Sequence, residues 1–207
     1  METDSAETRE LLARAKQGDR DAVDALFARH RAKLRQAVAL RMDGRLAARC
    51  DASDVVQQTC LEAARRLPQY LERQEISFDL WLRGLAREKI IELHRRHLAA
   101  DKRSVGREIA ALPVDSSVQF VRGMLGREPS PSQALAAAEV AERLRLAIQQ
   151  LDDDERDLIL WRHFEQLSNR EVAALLRINE AAASKRYVRA LERLRGLLLS
   201  LDVGGTA

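Results

Sequence analysis

Hydrophobic residues recur at intervals of three and four positions along most of this chain, which is the spacing of one apolar face of an α-helix. Over residues 9–98 this spacing predicts four helices. Two lie on either side of a break at Gly18-Asp19, a third is capped at Asp51 and ends before Pro68, and a fourth begins near Phe78. The first part of the chain is therefore predicted to be a helical domain.

The helical spacing weakens over residues 99–132, where glycine, proline and serine recur. A structureless loop of this length is uncommon inside a compact domain, so we place a domain boundary here and expect a flexible linker of about thirty residues. The linker is not wholly polar, because it contains an apolar patch made of Val118, Phe120, Val121, Met124 and Leu125. The pattern predicts an all-α protein with two small helical domains, residues 9–98 and 133–200, joined by this flexible linker.

The second domain is predicted to begin with a helix over residues 135–151, followed by a helix over residues 152–165. The latter starts in an acidic run, which suits the positive end of a helix dipole. Asp152 is expected to be its cap, with Glu155 completing a capping box.

The chain then continues with a short helix and a long basic helix around a tight turn. Ser168 and Glu171 have the spacing of a capping box, and Asn179 can accept from the free amides of the long helix, which begins at Glu180. The apolar residues of the long helix are expected to face inward: Ala183, Tyr187, Ala190, Leu191, Leu194 and Leu198. Its basic residues lie on the remaining surface, as in a helix-turn-helix that enters a DNA major groove. An ordinary helical hairpin with a solvated charged face is the alternative.

Composition supports a helical protein and excludes several functions. Of 207 residues only 9 are Gly and 4 are Pro, and 46% are hydrophobic, which favours long amphipathic helices over sheet. Aromatic residues make up 4%, which argues against an aromatic-stacking RNA platform. The net charge is +3, with local segregation of acidic and basic runs.

The remaining sequence features argue against a membrane protein and against an enzyme. No segment has the length and hydrophobicity of a membrane span or of a signal peptide, so we expect a cytoplasmic protein without membrane insertion. Cys50 and Cys60 lack metal-ligand spacing, and we expect buried thiols and no disulfide between them. We expect no catalytic site, no metal site and no cofactor, because no constellation of catalytic or phosphate-binding residues is present.

Several separate segments resemble bacterial RNA polymerase sigma factors of the extracytoplasmic-function class. The segment DASDVVQQTCLEA, from Asp51, resembles their D-A-x-D-x-x-Q helix. The segment FDLWLRGLAR, from Phe78, and the following I-E and R-R pairs resemble their F-x-x-W-L…I-D-x-x-R-R segment. Residues 133–198 resemble their promoter-reading domain, and the string EAAASKRYVRAL, from Glu180, resembles a subgroup common in planctomycetes.

The resemblance implies a role for each of these segments. The helix over residues 51–66 would dock on core RNA polymerase through Asp51, Asp54, Gln57 and Gln58. The next helix would face the minus-ten element, where the loop of residues 69–77 could hold a flipped base and where phosphates would be neutralised by Arg83, Arg87, Lys89, Arg95 and Arg96. The helix-turn-helix would bind the minus-thirty-five element through Arg177, Ser184, Lys185, Arg186, Arg189 and Arg193, with Arg193 better placed for phosphate than for bases.

Two residues depart from the family pattern. Arg177 occupies a turn position where the family often has Gly, and a left-handed backbone there costs arginine about 1 kcal/mol, which a phosphate contact could offset. Glu88 occupies a position where the family often has Asn, and a carboxylate beside DNA phosphate is repulsive.

The resemblance implies a sigma factor that binds core RNA polymerase and promoter DNA and directs promoter-specific transcription initiation. Whether an anti-sigma factor binds the chain is left open. One alternative is a free-standing helix-turn-helix regulator that binds operator DNA without polymerase. The other is a helical interaction protein, such as an adaptor.

Overall fold

The computed structural model describes residues 4–42, 46, 50–98, 112–125 and 133–203. No strand occurs among these residues, and the chain divides into two compact units, Met1–Val105 and Gly106–Ala207. The predicted all-α class with two helical domains is therefore confirmed. No helix in the described part of the chain is both long and apolar enough to cross a membrane.

The described helices of the first unit are α1 (Ala6–Lys16), α2 (Arg20–Arg41), α3 (Ala52–Arg73) and α4 (Phe78–Leu98). Local side chains set several of their starts. Asp19 caps α2 by accepting from the amide of Ala22, and the preceding Gly18 has φ +86°, a backbone conformation that favours glycine. At α3, Asp51 and Asp54 form a reciprocal capping box. The predicted break at Gly18-Asp19 and the predicted cap at Asp51 are both confirmed.

An aromatic cluster around Phe78 lies in the core of the first unit. Phe78 is fully buried at the start of α4. Tyr70 of α3 stacks on Trp81 with ring centroids 4.5 Å apart, and its hydroxyl donates to the carbonyl of Ile76 at 2.9 Å. The cluster therefore fixes both the packing of α3 on α4 and the path of the short loop between them.

Helix α3 continues through Pro68 to Arg73, so the prediction that it ends before Pro68 is wrong. Proline removes one backbone hydrogen bond and usually ends or kinks a helix. Here Ala64 and Pro68 are both exposed, so water can reach the carbonyl that loses its partner. Beyond the proline, the burial of Tyr70 and Leu71 supports the last turns. The connection to α4 is accordingly residues 74–77, not 69–77.

The described helices of the second unit are α5 (Val114–Leu125), α6 (Gln133–Gln149), α7 (Asp153–Ile159), α8 (Asn169–Leu176) and α9 (Glu180–Val203). A five-residue π-helical segment, Leu160–Phe164, continues α7. Trp161 in this segment is fully buried, as are Leu144 and Ile148 of α6. Trp161 is therefore a core residue of the second unit.

Helix α5 lies inside the segment that was predicted to be a flexible linker. It packs on α6 and on the π-helical segment of the second unit. Its Ser117 and Phe120 are buried, and the hydroxyl of Ser117 donates to the carbonyl of Pro113 at 2.8 Å. The apolar patch noted in the sequence is thus part of a packed helix. The other predicted linker residues, 99–111 and 126–132, lie outside the described residues.

Candidate nucleic-acid interface

Local hydrogen bonds build the turn between α8 and α9. Ser168 and Glu171 form the predicted capping box at the start of α8. Arg177 ends that helix with φ 54° and ψ 43°, and its amide donates to carbonyls of the last turn. The side chain of Asn179 accepts from the amide of Ala182 at 2.7 Å and caps α9. The predicted helix-turn-helix is therefore confirmed, including the left-handed arginine.

Helix α9, which we call the reading helix, has a packed side and a polar side. Ala183, Ala190, Leu194 and Leu198 are buried in the core of the unit. The exposed residues of its N-terminal half include the predicted DNA-contacting side chains Ser184, Lys185, Arg186 and Arg189. This arrangement leaves hydroxyl, ammonium and guanidinium groups accessible to a ligand.

Arg193 differs from these residues because the unit itself holds its guanidinium. Its Nη1 lies 2.9 Å from Glu155 Oε2 and 3.6 Å from Asp152 Oδ2, at the start of α7. The carboxylate of Glu155 therefore pairs with Arg193 of the reading helix. In the expected capping box it would instead accept from the amide of Asp152, so that part of the prediction is wrong. The expectation that Arg193 offers its charge to phosphate is accordingly revised.

The acidic start of α7 also borders the reading helix around a depression of about 470 Å³. Its lining includes Asp152, Asp153, Asp154 and Glu155 on one side and Arg186 and Arg189 on the other. The acidic residues therefore lower the positive potential along this edge of the reading helix.

In the first unit, the exposed side of α3 is mostly polar and contains one leucine. Gln57 and Gln58 are exposed, as predicted for residues that contact a partner. Leu61, one helical turn after Gln57 on the same side, is 58% exposed. The core positions are instead Val55, Val56, Thr59, Ala63 and Leu67.

Two of the predicted docking residues on α3 also stabilise the helix. The carboxylate of Asp51 accepts from the amide of Ser53, and the carboxylate of Asp54 accepts from the amide of Asp51 at 3.2 Å. Both side chains are exposed, so they remain accessible to a partner. A substitution at either position would alter the helix start as well as any contact, which makes Gln57 and Gln58 better probes of docking.

Arg83, predicted to neutralise phosphate, is buried, and that prediction is wrong. Its side chain is 4% exposed, and its Nε lies 2.9 Å from Asp79 Oδ2. Asp79 also lies 3.3 Å from Lys33 and 3.4 Å from His30. Burial by itself raises the pKa of Asp79, but the hydrogen bond with His30 and the charge of Arg83 outweigh it and hold the pKa well below its usual range. Arg83 therefore joins a structural ion-pair network that links α2 to α4.

The other predicted minus-ten residues lie at or near the surface of α4. Arg95 and Arg96 are exposed, and Arg87 and Lys89 are half-buried. Glu92 pairs with Lys89 at 2.6 Å and also with Arg96. The basic charge of this surface is thus partly neutralised within α4.

Glu88, the departure from the family pattern, has a cationic partner on the neighbouring helix. Arg66 Nη1 lies 3.1 Å from Glu88 Oε2, and Arg66 also pairs with Glu62 on its own helix. Because the guanidinium neutralises the Glu88 carboxylate, Glu88 repels a nearby phosphate less than an unpaired carboxylate would. Sequence reasoning missed this pair because the two residues are 22 positions apart, on different helices.

Comparisons with known proteins match both units. A model described as Sigma-70 region 2 matches residues 26–99, and one described as Sigma-70, region 4 matches residues 141–194. Together they cover more than half of the chain. The chain is 33% identical over 148 residues to the probable RNA polymerase sigma factor RfaY of Xanthomonas campestris, covering 70% of this chain and 34% of RfaY.

Two further relatives match over nearly their full lengths. The RNA polymerase sigma-H factor of Pseudomonas aeruginosa is 27% identical over 192 residues, which cover 89% of this chain and 90% of that protein. The solved structure of CnrH in complex with the cytosolic domain of CnrY is similar with a TM-score of 0.59 at 25% identity, covering 94% of this chain and 98% of the CnrH chain. RNA polymerase sigma factor CnrH is from Cupriavidus metallidurans.

Proposed function

Since the chain belongs to the sigma-70 family, in its extracytoplasmic-function class, we propose that its two units divide promoter recognition between them. As a member of this class it binds core RNA polymerase and directs promoter-specific transcription initiation. The proposal concerns which residues perform each step. The observation that supports it most strongly is the reading helix, whose capped N-terminal half leaves Ser184, Lys185, Arg186 and Arg189 exposed.

The second unit binds the minus-thirty-five element as duplex DNA. Residues near the start of a recognition helix come within reach of base edges in the major groove. Arg186 is long enough for a bidentate contact with guanine, whereas Ser184 and Lys185 reach bases or phosphate. Arg177 lies at the turn before this helix, where its exposed guanidinium can bind phosphate. Such a contact would offset the cost of its left-handed backbone.

The first unit binds the minus-ten element with α4 and the loop of residues 74–77. Arg87, Lys89, Arg95 and Arg96 supply positive charge for the DNA backbone. Glu92 neutralises part of the charge of Lys89 and Arg96. The loop is held at Ile76 by the Tyr70 hydroxyl. A loop fixed in this way has less entropy to lose when an unstacked base binds to it.

The docking surface for core polymerase is the exposed side of α3, centred on Leu61 and including Gln57 and Gln58. An exposed leucine among polar residues suits an interface with a small apolar centre and a polar rim. Asp51 and Asp54 lie at the N-terminal end of this surface and add negative charge. These residues remain accessible in the free first unit.

Three finer assignments accompany this role. We place the chain in the planctomycete-type subgroup on the string that begins at Glu180. We place it in the cytoplasm because that is where core polymerase transcribes. CnrH was solved with the cytosolic domain of CnrY, and we propose that an anti-sigma factor binds this chain as well.

Transcription in vitro with purified core polymerase tests the proposed function. We expect the complex to initiate from a promoter with matched upstream and minus-ten elements, and the free chain to bind the same DNA only weakly in a gel-shift titration. Weak binding is expected because basic side chains on the proposed DNA-binding helices are partly neutralised by acidic neighbours. Tight sequence-specific binding by the free chain, without stimulation of core polymerase, would instead indicate a free-standing regulator.

A further inference from the structure

A π-helical segment places a histidine against the reading helix. Over Leu160–Phe164 the helix widens, and the amide of Glu165 donates to the carbonyl of Leu160 at 3.0 Å. Such insertions are rare and occur frequently at functional sites. Here the widened turn contains the fully buried Trp161 and, two residues later, His163. The segment thus anchors one side chain in the core and directs another to the neighbouring helix.

His163 is hydrogen-bonded to Tyr187 of the reading helix. The distance between His163 Nε2 and the Tyr187 hydroxyl oxygen is 2.6 Å. Burial, and to a lesser extent the charge of Arg162, lower the pKa of His163 to about 4, so the imidazole is neutral near pH 7. Burial raises the pKa of Tyr187, so its hydroxyl stays protonated. Tyr187 can therefore donate to an uncharged imidazole nitrogen.

Two other contacts hold the same pair from different elements. Phe120 of α5 lies against His163 with ring centroids 3.7 Å apart, and it covers the imidazole on that side. The guanidinium carbon of Arg162 lies 5.4 Å from the ring centroid of Tyr187. Arg162 also donates to the carbonyl of Leu167 at 2.5 Å, just before α8 begins. The His163–Tyr187 contact is therefore connected to α5 and to the start of the helix-turn-helix.

Tyr187 lies directly after Arg186, the residue proposed to contact a base. A roll of the helix by about 10° moves a side-chain tip at a radius of about 6 Å by about 1 Å. A displacement of this size misaligns a bidentate hydrogen bond. The rotational setting of the reading helix thus determines whether Arg186 can discriminate between bases.

We propose that His163 is a positioning residue for upstream-element recognition: through its hydrogen bond to Tyr187 it sets the rotation of the reading helix, and Phe120 packs against its imidazole. The proposal rests on the proposed function of the second unit. His163 itself does not contact DNA in this scheme. If His163 and Tyr187 served only to pack the core, a substitution that removes their hydrogen bond but keeps an aromatic ring at both positions would leave base preference unchanged.

The test measures base preference with the full-length chain in complex with core polymerase. Transcription is compared across a library of upstream-element variants for the wild type, Tyr187→Phe, His163→Phe and the double variant. At one position of the upstream element, we compare transcription with the best base to transcription with the second-best base. This ratio should fall by about three- to tenfold in each single variant, the size of effect that the loss of one hydrogen bond implies. The double variant should be no worse than either single variant, because both remove the same interaction.

Thr59→Val is the matched control, because it also removes a hydroxyl that donates a hydrogen bond and nearly keeps the shape of the side chain, but in the core of the first unit. It should leave upstream preference unchanged. His163→Gln keeps a hydrogen-bonding group and should recover part of the lost preference. Capture of core polymerase and helicity, measured for every variant, should match the wild type.

The outcomes separate the two proposals. Unchanged preference in Tyr187→Phe, or additive losses in the double variant, would overturn the positioning role and leave the proposed function intact. If the wild type itself has no upstream preference, the assignment of the second unit fails, and the positioning role fails with it. If Tyr187→Phe loses helicity, His163→Phe decides, because a folded His163→Phe variant lacks the hydrogen bond and wild-type preference in it would contradict the proposal.

Discussion

The guanidinium of Arg193, on the reading helix, lies 2.9 Å from the carboxylate of Glu155, at the start of α7. This ion pair fastens the C-terminal half of the reading helix to the helix that precedes the helix-turn-helix. Arg193 is half exposed, so the pair should contribute less than about 1 kcal/mol to stability. Its main consequence is that the Arg193 charge is largely neutralised before DNA arrives.

Arg186→Ala and Arg193→Ala should therefore have different effects on transcription. Loss of Arg186 should relax preference at one upstream base pair by about 1–3 kcal/mol, because a bidentate contact discriminates by that amount. Loss of Arg193 should leave base preference unchanged and alter the salt dependence little. A library of upstream variants, transcribed at two salt concentrations, measures both quantities. A drop of about one unit in the salt slope for Arg193→Ala would return that residue to the phosphate contacts.

Arg83→Met and Arg95→Ala form a second contrasting pair, both on α4. Arg83 is buried against Asp79, so its replacement should lower the free energy of unfolding by about 1–3 kcal/mol as the carboxylate loses a partner. Arg95 is exposed, so its replacement should leave stability unchanged but lower the salt slope of promoter binding by about one unit. Denaturant titration and binding at several salt concentrations check the two effects. An unaltered unfolding midpoint in Arg83→Met would argue against the structural role of Arg83.

Leu61→Ser should weaken capture of core polymerase by about tenfold without unfolding the chain. Leu61 is 58% exposed, so the substitution opens no cavity, whereas burial of the exposed part of a leucine side chain in an interface contributes about 1–2 kcal/mol. Leu199→Ser is a matched control, because Leu199 is 44% exposed and belongs to the reading helix of the second unit. Pull-down of purified core enzyme compares the two variants. Equal capture by both would remove Leu61 from the docking surface.

Acid should destabilise the second unit through His163. The pKa of this histidine is lowered from 6.5 to about 4, so between these values the unfolded chain binds more protons than the folded one. The stabilisation is fully present above pH about 6.5 and is lost as pH falls toward 4. The charged residues around it are Arg162 on its own segment and Glu192 and Arg195 on the reading helix, and Tyr187 stays neutral over this range.

The measurement is the melting temperature of the wild type and of His163→Gln at pH 5 and pH 7.5. The wild type should lose more stability at pH 5 than the variant does, and the difference between them isolates the histidine from other titrating groups. A variant that shows the same acid loss as the wild type would mean that His163 titrates normally.

Local chemistry made much of this protein predictable from its sequence. The caps at Asp51, Ser168 and Asn179 bind amides two or three residues away, and the left-handed turn at Arg177 is similarly local. Such interactions depend on near neighbours in the chain, so spacing and residue type are enough to identify them. The all-α class, the two helical domains and the helix-turn-helix all follow from patterns of this range.

Only the tertiary structure revealed the features that depend on contacts between residues distant in the chain. Helical periodicity placed Arg83 and Arg193 correctly on helices, but it could not reveal that Arg83 is buried or that Glu155, 38 positions away, binds Arg193. Likewise, the passage of α3 through Pro68 and the packing of α5 in the predicted linker depend on apolar surfaces supplied by other helices. A basic side chain binds DNA only where no acidic partner within the protein already neutralises it, and three-dimensional packing determines where such partners lie.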